Sequence, residues 1–329
     1  MTVPLIQAVL DAVGELDRER LGVLLAEQPE LVNAEIDGVT PLHLAAWMVT
    51  DHNALPARDG GPDAHAVVDD LLAAGADTDR PAIDGYTPLH AAGFCGNDGL
   101  VAQLLAAGAD PQATVNGVPG STPLSFALFY GHRPTAALLA EGVRAPDDLR
   151  SAAGLNDVDG VARLLSPDGA LVPGADAGMA FTAPIDAFPP RIGPITDQLT
   201  IDESLTWAAR NASVDAMELL VARGADVNAN PYRGTALLWA VYREQAEVLQ
   251  WLIDHGAEVN LRHDFGGAEH GHMATALHLA GQQSGLASID VLLAAGADRT
   301  ITDAAFNATP AGWAEHNGQT EAAERLRLA

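Results

Sequence analysis

The sequence has little cysteine, little basic charge and no long apolar run, and each shortage excludes a class of protein. Cys95 is the only cysteine, so a disulfide framework is excluded and a reducing compartment fits. No apolar stretch reaches the length of a membrane-spanning helix, and the start, Met1-Thr2-Val3-Pro4, lacks the basic segment of a signal peptide. We therefore expect a cytoplasmic location by default.

Basic residues are strongly outnumbered, since 17 Lys and Arg stand against 44 Asp and Glu and the formal net charge is −27. Nucleic acids and anionic membranes repel such a surface, so we expect neither as a partner. Aromatic residues are also scarce, at 5%, although 48% of the chain is hydrophobic. The apolar residues are mostly Ala, Leu and Val, which favour closely packed helices over sheets. The Ala- and Gly-rich composition resembles that of proteins from high-GC bacteria.

Two phrases recur along the chain in a fixed order. The first reads Thr-Pro-Leu followed by His or Ser, and its clear copies begin at Thr40, Thr87 and Thr122, with weaker ones at Thr235, Thr275 and Thr309. The second reads Leu-Leu-Ala-Ala-Gly-Ala-Asp, and it or a close variant begins at Leu71, Leu104, Leu219, Leu252 and Leu292. Such self-similarity at a fixed period is typical of a stack of repeated units.

The residue types of the repeat fit a pair of helices. Thr40 is suited to cap a helix, and Pro41 fits the first helical position, where its missing N–H has no cost. Gly75 is suited to end the second helix, where a left-handed conformation is needed. The sequence therefore predicts helix-turn-helix units.

This repeat resembles the ankyrin family, whose unit is about 33 residues long and carries Thr-Pro-Leu-His-x-Ala. The resemblance covers residues 4–329 and implies an all-α ankyrin-repeat solenoid of about nine helix-turn-helix units with short hairpin connections. It implies a single domain, 1–329, with an N-terminal cap repeat at 1–36 and a C-terminal cap repeat at 303–329. Histidines matching the family's structural histidine, which bonds neighbouring repeats, are His43, His90 and His278.

Three intervals between repeats are clearly longer than the period. They place insertions at 48–63, between the two helices of one unit, at 169–201, which is Pro-rich and expected to be irregular, and at 261–274, in a connecting hairpin. Loops on a rigid scaffold often carry function, but surface insertions are also tolerated as neutral decoration. Both interpretations remain open.

In ankyrin proteins the residues after the Ala-Ala pair face the concave side of the stack and commonly contact the partner. The resemblance therefore implies a concave binding surface, which we expect to be aromatic in its first half and partly basic in its second. Exposed apolar patches tend to mark binding sites. The alternative is that the insertions cover these side chains. The expected binding residues are Trp47, Phe94, Phe129, Tyr130, Arg210, Tyr242 and Arg243.

The insertions contain the candidates for chemistry. One is the pair Asp51 and His52, and the others lie in the third insertion: His263, Asp264, His270 and His272. They are candidate acid/base groups, with an aspartate orienting a histidine, and those of the third insertion are also candidate metal ligands. No established metal-ligand spacing and no glycine-rich phosphate loop is present, so we expect no metal and no cofactor.

Two functions follow from these patterns. The first is a scaffold that binds a protein or peptide through the concave face. The alternative is an enzyme or small-molecule binder whose pocket forms where the insertions cross the groove. An enclosed pocket lined by aromatic and histidine side chains favours the second, and a long open groove favours the first.

Overall fold

A computed structural model describes most of the chain and shows it to be helical. The described residues are 3–51, 58–59, 61–141, 143, 147–176, 195–231, 234–263 and 273–327. Contacts divide the chain into two compact units, Met1–Ala145 (unit 1) and Pro146–Ala329 (unit 2). That both units form one domain stays a prediction.

Unit 1 is built from helix pairs in two layers. The first helices of the pairs contact one another in succession, and the second helices form the other layer. Short 3-10 turns, Pro29–Asn33 and Val115–Gly117, occur in two of the connections. The helices are α1 Val3–Gly14, α2 Arg18–Glu27, α3 Pro41–Val49, α4 Gly61–Ala73, α5 Pro88–Cys95, α6 Asp98–Ala106, α7 Pro123–Tyr130 and α8 Arg133–Ala140.

The repeated phrase produces the first helices of these pairs as the sequence predicts. Pro123 occupies the first position of α7, and the Thr122 hydroxyl before it accepts a hydrogen bond from the Ser125 backbone N–H. The helix ends at Gly131, whose φ of 73° lies in the left-handed region that glycine adopts without strain. Start and stop signals therefore fix the helix within eight residues.

Unit 2 repeats the same two-layer arrangement around its own apolar core. Leu205, Leu237 and Leu277, on successive first helices, are almost fully buried in that core. The helices are α9 Leu149–Gly154, α10 Val158–Leu164, α11 Asp197–Arg210, α12 Val214–Ala222, α13 Ala236–Tyr242, α14 Ala246–Asp254, α15 Ala276–Gln283, α16 Leu286–Ala294, α17 Pro310–His316 and α18 Thr320–Arg327.

The second insertion ends in a helical segment, because α11 begins at Asp197. The Thr196 hydroxyl accepts a hydrogen bond from Leu199 N–H and caps the helix, so residues 197–201 are helical rather than irregular. The early start places Thr200 and Glu203 inside the unit, where both bond to the guanidinium of Arg150 on α9. Residues 177–194 of this insertion lie outside the described part of the chain.

The other two insertions are described only at their bases. In the first, a two-residue strand β1, Thr50–Asp51, pairs antiparallel with β2, Arg58–Asp59. In the third, an antiparallel bridge joins His263 to Ala274. Both inserted segments therefore leave and rejoin the helical stack at adjacent points.

Candidate functional site

The histidines of the repeated phrase are structural, as the sequence predicts. His90 is fully buried and its Nδ1 accepts a hydrogen bond from the backbone N–H of Thr87 at 3.1 Å. Its Nε2 donates to the carbonyl oxygen of Ser121 at 2.9 Å, at the start of the next repeat. His43 and His278 make the equivalent bonds, to Tyr86 and Ala308. These rings join neighbouring repeats, so they are not free for catalysis.

Burial lowers the pKa of all three histidines, although hydrogen bonds to backbone carbonyls oppose it. The neutral form is the one that fits these bonds, because Nδ1 must accept while Nε2 donates. Unit 1 and unit 2 therefore both contain histidines that favour the folded state only when uncharged.

In unit 1, aromatic side chains gather at the C-terminal ends of α5 and α7. The rings of Phe94 and Tyr130 lie 4.5 Å apart, and those of Phe129 and Tyr130 lie 5.0 Å apart. His132 Nε2 donates to the Phe94 carbonyl oxygen at 3.1 Å and ties the two repeats together. We call Phe94 and Tyr130, which are both half-buried, the aromatic pair. Trp47, at the end of α3, is also half-buried.

Two of the predicted binding residues are buried. Phe129 is only 2% exposed and Arg210 only 1%. Both lie at the end of a first helix, where Phe129 contacts the Tyr130 ring and Arg210 contacts the Trp239 ring. A role in binding stays a prediction for these two residues and for the other predicted binding residues.

An exposed apolar residue that was not predicted from the sequence lies at a hairpin tip of unit 1. Ile83 is 81% exposed and follows Ala82, whose N–H donates to the Tyr86 carbonyl at the base of the turn. The tip of the preceding hairpin approaches it so closely that a Cβ on Gly38 would lie 2.8 Å from the Ile83 Cβ. An isoleucine at a turn position that favours polar residues was the available signal.

In unit 2, two arginines and two aromatic residues form a cluster at the ends of α11 and α13. The Arg210 Cζ lies 3.6 Å from the centre of the Trp239 ring, in a cation–π arrangement. Trp239 in turn meets the Tyr242 ring edge to face, with centroids 5.4 Å apart. Arg243 follows Tyr242 and caps the end of α13. We call these four residues the arginine–tyrosine cluster.

The charges of this cluster act on one another. Burial raises the pKa of Tyr242, while the nearby guanidinium groups of Arg243 and Arg210 oppose that rise. Burial also lowers the pKa of Arg243, against the opposing effects of Tyr242 and Glu244. Both arginines therefore lie close enough to the Tyr242 hydroxyl to stabilise negative charge there.

Two glutamines hold the cluster in place. Gln245 Nε2 donates to the Arg210 carbonyl oxygen at 2.7 Å, and Gln283 Nε2 donates to the Tyr242 carbonyl oxygen at 3.3 Å. Each bond crosses from one repeat to the previous one. The cluster is thus fixed by main-chain contacts before any ligand arrives.

The residues proposed for acid/base chemistry are mostly outside the described part of the chain. This applies to His52, Asp264, His270 and His272, and of Asp51 only the backbone is described. His263 is described and is 1% exposed, and neither ring nitrogen has a hydrogen-bond partner among the described residues. Burial lowers its pKa to about 4. The described residues contain no group of three potential metal ligands.

A cleft of about 600 Å³ lies between α2 and α4 in unit 1. Leu21 and Leu25 line its floor, and the ion pair of Arg18 with Asp70, 2.6 Å between Nε and Oδ2, stands at its side. None of the predicted binding residues or histidines lines this cleft. It is therefore not the insertion-covered pocket that the enzyme hypothesis requires.

A family model for ankyrin repeats matches residues 57–147 and 190–263, in three copies, which together make just over half of the chain. The chain belongs to the ankyrin-repeat family. The helical architecture agrees with an ankyrin-repeat solenoid. No curated protein matches the chain significantly.

Ankyrin repeats generally serve as protein–protein interaction modules. Membership of the family thus makes a protein partner the first expectation for this chain. Among the described helices, none is both long and apolar enough to cross a membrane.

Proposed function

We propose that this ankyrin-repeat protein is a scaffold that binds a protein or peptide through the concave face of its repeats. The observation that carries the proposal is the aromatic pair of unit 1. Phe94 and Tyr130 come from neighbouring repeats, are held 4.5 Å apart and are half-buried, so part of each ring remains accessible. Rigid, partly buried aromatic side chains are typical of the few residues that dominate protein interfaces.

The exposed Ile83 supports the same function. A side chain with 81% exposure at the tip of a hairpin gains nothing from the fold of unit 1. Burial against a partner would remove that apolar surface from water, which stabilises a complex by roughly 25 cal/mol per Å². The hairpin tip at Ile83 and the C-terminal ends of α5 and α7 therefore provide two contact points on unit 1.

The one described acid/base candidate favours the scaffold over the enzyme. A general base works best when its pKa lies near the operating pH. Burial holds the pKa of His263 at about 4, so its ring is a weak base at neutral pH. The enzyme or small-molecule alternative then depends on the histidines outside the described residues, and native mass spectrometry tests it. A small molecule or metal that leaves on mild denaturation supports the alternative.

Selection of random dodecapeptides displayed on phage tests the scaffold directly. The full chain is the bait, and the affinities of the selected peptides are measured against two variants. Phe94→Ala should weaken binding at least tenfold, because it removes one ring of the aromatic pair. Val23→Ala is the matched control, since it truncates a 54% exposed apolar side chain on α2, in the outer layer of the same unit.

Phe94→Leu guards against loss of folding, because leucine keeps most of the packing volume but not the ring. It should retain the wild-type helical circular dichroism and still lose affinity. Equal affinities for wild type, Phe94→Ala and Phe94→Leu would contradict the proposal, as would an equal loss in Val23→Ala.

A further inference from the structure

Arg243 lacks an acidic partner in a chain that is rich in acids. It makes no ion pair or side-chain hydrogen bond within the part of the chain that the structure describes, and its Nε is buried. Other arginines, including Arg18, Arg80 and Arg325, are paired with carboxylates. Arg243 is set apart by its buried Nε and by its place in the arginine–tyrosine cluster, so an anion supplied by a partner is the candidate counter-ion.

The free protein tolerates this cation for a local reason. Arg243 stands at the C-terminal end of α13, where the carbonyl groups carry partial negative charge. That contact is weak, typically below about 1 kcal/mol at a partly exposed site, and it leaves the planar guanidinium able to bind an anion. The helix end thus stabilises the Arg243 side chain weakly, and its guanidinium can still bind the anionic group of a ligand.

The neighbours of Arg243 make the site favourable for negative charge. Arg210 is held over the Trp239 ring at 3.6 Å and adds a second positive charge beneath the surface. Tyr242 adds a hydroxyl on which both guanidinium groups act electrostatically. The bonds from Gln245 and Gln283 fix the main chain that supports them. Such preorganisation raises affinity because little has to be ordered on binding.

We propose that Arg243 and Tyr242 recognise a carboxylate of the bound partner, so that the partner segment carries an acidic residue at the position that faces the end of α13. A guanidinium binds a carboxylate through two parallel N–H···O bonds, and a tyrosine hydroxyl supplies a further donor. The inference rests on the proposed peptide-binding function and specifies the chemistry of the ligand.

The net charge of the protein makes this site selective. Over distances beyond about 10 Å, salt screens the repulsion between the acidic chain and an acidic segment. At contact, a carboxylate of the partner that lies on Arg243 is attracted. Other carboxylates of the partner are repelled by the acidic residues of the protein. The partner should therefore carry one well-placed acidic residue rather than a long acidic run.

The test repeats the phage selection of dodecapeptides with full-length wild type, Arg243→Gln and Arg299→Gln. Arg299 is the matched control, because it is also half-buried and also makes no ion pair among the described residues, but it lies away from the cluster. Wild type and Arg299→Gln should enrich Asp or Glu at one register position, and Arg243→Gln should not. A selected peptide and its Glu→Gln counterpart are then titrated into all three proteins.

We expect Arg243→Gln in the protein, or Glu→Gln in the peptide, to lower the affinity at least tenfold. Combining the two changes should cause little further loss. Peptides that bind without acidic enrichment, or equally well to Arg243→Gln, would overturn the carboxylate site and leave the scaffold intact. If wild type retains no peptide at all, both proposals fail. Titrations with glutarate and with inorganic phosphate complete the test, because millimolar or tighter binding of either without peptide binding indicates a small-anion site instead.

Discussion

Arg150 and Glu203 form a fully buried ion pair, with the Arg150 Nε 2.6 Å from the Glu203 Oε2 and side-chain exposures of 0% and 1%. The guanidinium also donates to the Asp176 carbonyl oxygen and to the Thr200 hydroxyl. These bonds join α9, the turn after α10 and α11, which are separated in sequence by the second insertion. The pair takes the place of the histidine–carbonyl bonds that join other repeats.

Breaking this pair should destabilise unit 2 strongly. Replacing one partner, as in Glu203→Gln or Arg150→Met, leaves a buried polar or charged group without its partner, and we expect a loss of about 3–5 kcal/mol. Urea unfolding followed by tryptophan fluorescence measures it, because Trp207, Trp239, Trp251 and Trp313 all lie in unit 2. The double variant Arg150→Met/Glu203→Leu should recover most of the loss.

An exposed ion pair in the same unit provides the control. Arg325 and Asp290 lie 2.6 Å apart but are 36% and 59% exposed, so Arg325→Met should change stability by less than about 1 kcal/mol. If Glu203→Gln were no worse than Arg325→Met, the buried pair would not hold α9 and α11 together.

The two phenylalanines at the helix ends of unit 1 should respond differently to truncation. Phe129→Ala removes a ring that is only 2% exposed and should lower the free energy of unfolding by about 3–5 kcal/mol. Phe94→Ala removes a half-buried ring and its contact with Tyr130, with an expected loss of about 1 kcal/mol. Urea unfolding followed by circular dichroism compares them. Equal losses in the two variants would contradict the difference in burial between Phe129 and Phe94.

The stability of unit 2 should fall as the pH is lowered below about 6.5. Burial lowers the pKa of His263 from 6.5 to about 4, so the unfolded chain takes up a proton that the folded unit resists. This contribution of His263 to the stability of unit 2 is present above the pKa of the ring in the unfolded chain. It is lost progressively as the pH falls toward the pKa of the ring in the folded unit. This pKa shift corresponds to a decrease of about 2 kcal/mol in the free energy of unfolding between about pH 7 and pH 5. The tryptophan-detected urea midpoint measures it.

His263→Asn should remove that part of the pH dependence, since asparagine does not titrate. His316→Asn, at an exposed position on α17, should leave it unchanged. A residual decline is expected in both variants because His278 in the same unit also has a lowered pKa. An unchanged pH dependence in His263→Asn would contradict the buried, neutral state of this ring.

Local signals predicted the helices well because the causes are local. Thr122, Pro123 and Gly131 fix α7 by capping, by a preset φ and by a left-handed turn, all within a few residues. The histidine bridge of His90 was predictable from the family resemblance, since its partners recur at fixed spacing.

Long-range relationships were not predictable in the same way. Arg150 and Glu203 meet across 53 residues, so no pattern in either segment reveals the pairing. The start of α11 was placed too late because the prediction relied on the lost Thr-Pro phrase and overlooked Thr196 as a cap. Burial of Phe129 and Arg210 also depends on tertiary packing, which the position after Ala-Ala does not determine.

Hydrogen–deuterium exchange of the full chain with and without a selected peptide tests the central claim most directly. The account predicts slower exchange at the C-terminal ends of α5 and α7, around Phe94 and Tyr130, when the peptide is bound. It predicts no change in α2 and α4, which line the cleft on the other layer of unit 1. Protection confined to α2 and α4, or no protection at saturating peptide, would contradict binding through the concave face.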